Sequence, residues 1–158
     1  MIHGIHHTSI AVSDLDKMLG FYRDLIGFRL IHEGSWEVGN ARLDALVGLE
    51  GSSARYVMLH GGNLYLEMFQ YSSPVGRPGD PDRPVCDAGL THICLVTDDI
   101  DADYERLCAA GTRFHAPPGP PGVMRATYGR DPEGNVFELI QFDGDHNFAF
   151  ARLEASFA

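Results

Sequence analysis

The sequence predicts an α+β protein built from two tandem βαβββ modules, and three observations predict it. The stretch IHHTSIAVSDLDKMLGFYRDLIG, starting at Ile5, returns in outline as LTHICLVTDDIDADYERLCAAG, starting at Leu90. Each copy passes from a strand-like run into a helical period and is followed by three more strand-like runs. A Pro- and Gly-rich stretch, residues 73–84, lies between the two sets.

Placing His7 over His92 also places Asp14 over Asp99, Leu15 over Ile100, Asp16 over Asp101, Leu19 over Tyr104 and Tyr22 over Leu107. Each first strand (residues 7–12 and 92–96) begins at its histidine. It ends at an N-cap signal, Ser13 with Asp16 three residues on, or Asp98 with Asp101. Apolar residues at 15, 19, 22 and 26, and at 100, 104 and 107, trace the inward face of a helix, and Gly27 and Gly111 end the two helices. The strands after the helix cover residues 28–33, 55–60 and 63–71 in the first module and 113–116, 123–128 and 135–142 in the second. GNLYLEMFQY matches GNVFELIQF with one insertion. Asp131-Pro132-Glu133-Gly134 supplies a tight turn before the latter, because proline presets the turn's second position. The modules are assigned to residues 1–72 and 89–143, with a linker at 73–88 and a C-terminal tail at 144–158. Loops at 34–53 and 116–122 fall at matching places and are expected to border a pocket.

A chain of 158 residues that is 44% hydrophobic can bury one core or two small halves that share it. The formal charge of −10 is spread along the chain, and no Lys/Arg cluster offers a surface for a phosphate backbone, so no nucleic-acid partner is expected. No apolar run reaches the roughly 18 residues of a membrane span, and no basic-then-apolar leader opens the sequence, so the expected location is cytoplasmic, with no membrane partner. Cys86, Cys94 and Cys108 are an odd number without CxxC spacing and read as reduced, structural thiols.

Side-chain direction brings out the chemistry. Neighbours on a strand face opposite ways, so Leu64, Leu66 and Met68 go toward a helix while Tyr65, Glu67 and Phe69 look away. Phe137 and Leu139 alternate likewise with Val136, Glu138 and Ile140, and Glu138 falls where Glu67 fell. Each module therefore offers one histidine at the start of its first strand and one glutamate in the middle of its last. A pseudo-two-fold relation would gather His7, Glu67, His92 and Glu138. A carboxylate amid an apolar strand is costly unless paired or bound to a metal. Two imidazoles with two carboxylates suit a divalent ion such as Zn, Ni, Co, Mn or Fe, and leave about two of six coordination positions for water or substrate. His6, beside His7, is expected on the opposite face. His3, His32, His115 and His146 have no comparable placement, and the neighbours of His60 do not decide its face. Trp36, Arg42, Arg125 and Tyr128 are candidates for lining a pocket, with packing or surface roles the commoner alternative for each.

These residues resemble the vicinal oxygen chelate superfamily, also called the glyoxalase/bleomycin-resistance/extradiol dioxygenase superfamily. The likeness runs to about Asp143 through HHTSIAVSDLDKMLGFYRDLIGF, LEMFQY, LTHICLVTDDIDADYERL and GRDPEGNVFELIQF. It implies curved mixed sheets that enclose a metal cleft, and one divalent metal ion held by His7, Glu67, His92 and Glu138. It also implies a small-molecule substrate with a carbonyl or vicinal oxygens, and a homodimer in which the ligands come from one chain or are shared between chains.

The reaction the resemblance implies is that of a metal-dependent lyase or isomerase. In relatives such as glyoxalase I and methylmalonyl-CoA epimerase, a glutamate moves a proton next to a carbonyl held at the metal. Glu67 and Glu138 are the candidate catalytic residues. Glu67 is the first choice for base, because ring-cleaving dioxygenase relatives keep two histidines and one glutamate and dispense with its position. An Fe(II)-dependent ring-cleaving-type dioxygenase and a small-molecule binding or resistance protein are the alternatives, and retention of all four ligands argues against both. HHTSIAV is similar to the epimerase opening. Glyoxalase I typically has an arginine four residues after its histidine, for the glutathione carboxylate, and Ala11 stands there. The segments EVGNARLDALVGLEGSS and SSPVGRPGDPDRPVCDAG depart from the epimerase pattern.

Overall fold

In each half, the alternating run around the glutamate becomes an inner strand of a four-stranded mixed sheet, giving an α+β fold. The computed structural model describes residues 1–144, 146, 147 and 149. The chain divides into two units, Met1–Gly79 and Asp80–Ala158, and the division falls inside the 73–88 stretch. The tail assigned to 144–158 lies almost wholly outside the described residues.

The first unit contains β1 (His7–Ala11), α1 (Leu15–Leu19), β2 (Arg29–Trp36), α2 (Ala41–Val47), β3 (Ser53–His60) and β4 (Tyr65–Ser73). Its sheet runs β1-β4-β3-β2, with β1 parallel to β4 and the other pairs antiparallel. Val57, Leu59, Leu66 and Met68 bury one face together with Leu15, Met18, Leu19 and Tyr22. The expected periodicity holds through Leu19. Residues Gly20–Leu25 then widen into a π-helical turn, which brings both Phe21 and Tyr22 inside.

The second unit contains β5 (His92–Val96), α3 (Ile100–Ala109), β6 (Arg113–Phe114), β7 (Met124–Arg130) and β8 (Val136–Phe142), in the order β5-β8-β7-β6. Ile100, Leu107, Phe137 and Leu139 form its buried set. Gly27 and Gly111 follow the helices with φ of +99° and +90°, as expected. The bonds Gly111 N–H to Cys108 O and Thr112 N–H to Leu107 O close α3 in a Schellman arrangement.

Three expectations need correction. The helix caps are Asp14 and Asp99, not Ser13 and Asp98. Their carboxylates accept from Lys17 N and Ala102 N at 3.0 Å each, one residue later than expected. The loop expected at 34–53 is not a plain loop: β2 continues to Trp36, and α2 follows, capped by Asn40 Oδ1 accepting from Leu43 N at 3.1 Å. Strand β6 is also shorter than expected, although His115 N still donates to Tyr128 O at 2.8 Å.

Candidate functional site

Strand register places the two predicted His–Glu pairs, one in each unit. In the first, parallel pairing sets His7 beside Tyr65 and Ser9 beside Glu67, so alternate residues of both strands share a face. His7 Nε2 comes within 3.5 Å of Glu67 Oε2. In the second, His92 pairs with Val136 and Cys94 with Glu138, and His92 Nε2 is 3.1 Å from Glu138 Oε2. Both glutamate side chains retain 15% exposure while the histidines keep 40% and 29%, so each carboxylate sits beneath a more open imidazole. Among the described residues, no three His, Cys, Asp or Glu side chains of one unit form a ready metal-binding set. Each unit supplies a nitrogen and an oxygen donor.

The surroundings of the pairs differ. In the first unit His6, expected on the far face, turns back: its Nδ1 lies 2.9 Å from His7 Nδ1 and its ring 5.0 Å from Tyr65. His6 precedes β1 and so escapes the strand's alternation. His60 packs on the same tyrosine at 5.4 Å. The Tyr71 phenol is pushed above its usual range by burial and then by the Glu67 carboxylate.

In the second unit His92 packs on Tyr128 at 5.0 Å, and that phenol is raised by burial, by Glu138 and by Cys94. Each glutamate therefore has a neutral phenol within its field. The cysteines are free, in keeping with the expectation of reduced thiols. All three are exposed, and the Cys94 thiol hydrogen-bonds Glu138. Although the residue is exposed, its thiol is pushed up to about 12, by desolvation first and by Glu138 second; both causes disfavour the thiolate.

Tyr128 is thus at the second pair, whereas Arg125 has a structural role. It grips Asp101 at 2.7 Å through both terminal nitrogens and donates to Gly119 O at 2.9 Å. Arg55 holds Asp16 at the repeat-related place, 3.1 Å away. Gln70 and Gln141 likewise accept from the helix-starting amides of Leu15 and Ile100 at 3.1 and 2.8 Å. Arg42 is exposed on α2. Trp36 is buried, and its Nε1 donates to Ser52 Oγ at 3.0 Å. Ser52 in turn bonds Asp44 Oδ1 through its hydroxyl (2.5 Å) and its amide (2.8 Å). His115 accepts from Arg130 Nε at 3.2 Å, and burial, Arg130 and Arg113 hold it below the usual histidine value.

The repeat, the paired mixed sheets and the four donors at matching places define a class of protein, and comparison with known proteins agrees. The model of the glyoxalase/bleomycin resistance protein/dioxygenase superfamily matches residues 4–139, and the chain belongs to that superfamily. It is 32% identical over 149 residues to 2-epi-5-epi-valiolone epimerase from Actinomyces sp., covering 86% of this chain and 78% of that protein. It is 29% identical over 137 residues to a probable lactoylglutathione lyase from Synechocystis sp., covering 85% and 92%. A glyoxalase family protein from Bacillus cereus shares the fold at a TM-score of 0.82 and 22% identity, over 91% of this chain and 97% of that one. No described helix is long and apolar enough to cross a membrane.

Proposed function

We propose that the protein is a divalent-metal-dependent isomerase or lyase that moves a proton at the carbon next to a carbonyl of a small molecule. His7, Glu67, His92 and Glu138 would hold one ion such as Zn, Ni, Co, Mn or Fe, drawn from one chain or from two copies of it. The observation that carries this reading is the repeat of one His–Glu pair at matching places, with Nε2 to Oε2 distances of 3.5 and 3.1 Å. Two imidazole nitrogens and two carboxylates fit a borderline divalent ion. A relative named as an epimerase and another named as a probable lyase support the reaction class. When bound, the ion supplies a Lewis acid that polarises the carbonyl and makes the neighbouring C–H more acidic.

The chain's own residues do the rest. One glutamate oxygen takes the proton and returns it to the neighbouring carbon, or the other glutamate, protonated, delivers a proton to the opposite face of the same carbon and the two reset by exchange with solvent. The product differs only in where the hydrogen stands. Glu67 is the stronger candidate for base and Glu138 the weaker. Tyr128, the cross-strand partner of Glu138, carries a phenol that is protonated near neutrality and can donate to an oxygen that gains charge as the proton leaves.

The test uses hydroxyacetone, whose hydrogens next to the ketone exchange with deuterated water once such a base acts. Metal-loaded protein should catalyse the exchange without oxygen. Glu67→Gln keeps an oxygen donor but removes the basic carboxylate, and should slow exchange by about 10²–10⁴-fold while metal stays bound. Undiminished exchange in metal-loaded Glu67→Gln and Glu138→Gln alike would refute carboxylate base catalysis.

A further inference from the structure

The face of the first sheet that carries His7 and Glu67 also carries a group of aromatic rings. Tyr56 and Phe69 are cross-strand partners on β3 and β4, one side-chain step along from Met58 and Glu67. Tyr71 follows on β4 and Trp36 on β2, and the contacts among the four rings run between 5.6 and 6.1 Å. Their arrangement is fixed. The Tyr56 hydroxyl lies 3.2 Å from His32 Nε2, and the indole nitrogen is tied to Ser52. The Tyr56 ring lies over Gly34, where a Cβ would stand 2.7 Å from it, so the ring occupies bare backbone. With its polar end satisfied inside the chain, Tyr56 presents π surface, and the buried Trp36 backs it. Tyr56, Phe69 and Tyr71 are only half-buried.

The second unit is an internal control. Its register places Ala126 opposite Ile140 where the first has Tyr56 opposite Phe69, in the same sheet order around the same kind of pair. The architecture therefore forms without the Tyr56 and Phe69 rings, which must be explained by something other than the fold, whereas Phe142 keeps an aromatic ring at the place of Tyr71.

We propose that Tyr56, Phe69 and Tyr71, backed by the buried Trp36, form an aromatic wall that takes the planar, unsaturated ring of a substrate whose carbonyl or vicinal oxygens are held beside Glu67. This rests on the reading of the His–Glu site given above. It adds the substrate class: a ring-bearing carbonyl compound, bound by offset or edge-on stacking.

Two probes separate the claims. Hydroxyacetone has the vicinal oxygens alone; 2-hydroxyacetophenone has the same oxygens and a phenyl ring. Dissociation constants are measured by calorimetry and by the emission of Trp36, the chain's single tryptophan, on metal-loaded and chelator-treated protein. The phenyl compound should bind about tenfold more tightly than hydroxyacetone and quench Trp36. In Phe69→Leu and Tyr71→Leu, which keep apolar bulk but lose the ring, that ratio should fall below about threefold. Equal affinities, or a ratio unchanged in both variants, would overturn the wall even if both probes bind only the metal-loaded form, a result that leaves the metal reading standing. A ring preference that survives chelation and is lost in the variants keeps the wall and removes the metal from its support. Trp36 emission that follows protein concentration and ignores both probes would mean that a second copy of the chain covers this face, and would also overturn the proposal.

Discussion

Gly62 and Gly134 allow a controlled perturbation, because the repeat places them alike and their surroundings differ. Each stands before an asparagine at the entry to the strand that carries the unit's glutamate, and their φ angles are +83° and +87°. A methyl group at Gly62 meets nothing within 4 Å. At Gly134 it falls 2.7 Å from Pro81 Cβ, 2.8 Å from Pro81 O and closer still to Pro81 Cα, all held by backbone. The turn around Gly134 has little freedom to move aside. Asp131 is buried and accepts from Glu133 N and Asn135 N at 2.9 Å each, and Gly134 O accepts from Arg130, which also holds Arg83 O. An alanine at positive φ costs about 1–2 kcal/mol on its own. Overpacking against backbone adds about 1–3 kcal/mol. Gly62→Ala should therefore lose about 1–2 kcal/mol and Gly134→Ala about 2–5 kcal/mol. At roughly 2–4 °C per kcal/mol for a chain of this size, Gly134→Ala should melt several degrees below Gly62→Ala by calorimetry. Equal melting temperatures would refute the reasoning, since Pro81 would then give way at no cost.

Three further outcomes are expected. His7→Ala and Glu138→Ala should each bind much less divalent metal per chain by elemental analysis, since one donor of four is lost; full metal content in both would sink the ligand assignment. Asp44→Asn should shift the Trp36 emission, because the serine that holds the indole loses its charged partner. The Ser52 hydroxyl, then the Ser52 and Gly51 amides, hold the Asp44 pKa down, so in the wild type this support is present above the usual carboxylate range and lost as pH falls through the lowered value. His115 is lowered too, chiefly by burial, so its neutral form contributes stability that is full above about pH 6.5 and lost as pH falls through the depressed value. His115→Gln should flatten that part of a stability–pH curve, and an unchanged curve would remove His115 from the acid response.

The parts of this protein that were legible in the sequence depend on short-range pattern. Alternation along β4 and β8 is enough to turn Glu67 and Glu138 away from the buried Leu66, Met68, Phe137 and Leu139. What was illegible depends on pairing between distant segments, or leaves no periodic trace. Helix α2 buries no residue, so its apolar positions follow no stripe that a reader could count. The aromatic wall draws on β2, β3 and β4, and each ring alone reads as an ordinary strand residue. The place of Cys94 beside Glu138 follows from strand register alone, which the sequence does not display. The caps were misplaced by one residue because serine and aspartate both qualify, and the choice rests on which oxygen reaches an amide.

A duplicated fold separates what the architecture needs from what it merely carries. Where both halves keep the same device and the device does a structural task, the fold accounts for it: Gln70 and Gln141 satisfy helix-starting amides, and Arg55 and Arg125 tie Asp16 and Asp101 to the sheet. Where the halves differ, as Tyr56 and Phe69 against Ala126 and Ile140, the fold accounts for nothing. The His–Glu pairs are kept in both halves, yet stability is a poor reason for them. An ion pair with a histidine 40% or 29% exposed is worth about 0–1 kcal/mol, and only while the imidazole is protonated. A carboxylate beside buried strand residues costs more than that to desolvate without a strong partner. A residue kept twice at a net cost to folding is explained by what it binds. That argument supports the proposal that His7, Glu67, His92 and Glu138 hold a cation, and it does so independently of their spacing in the sequence.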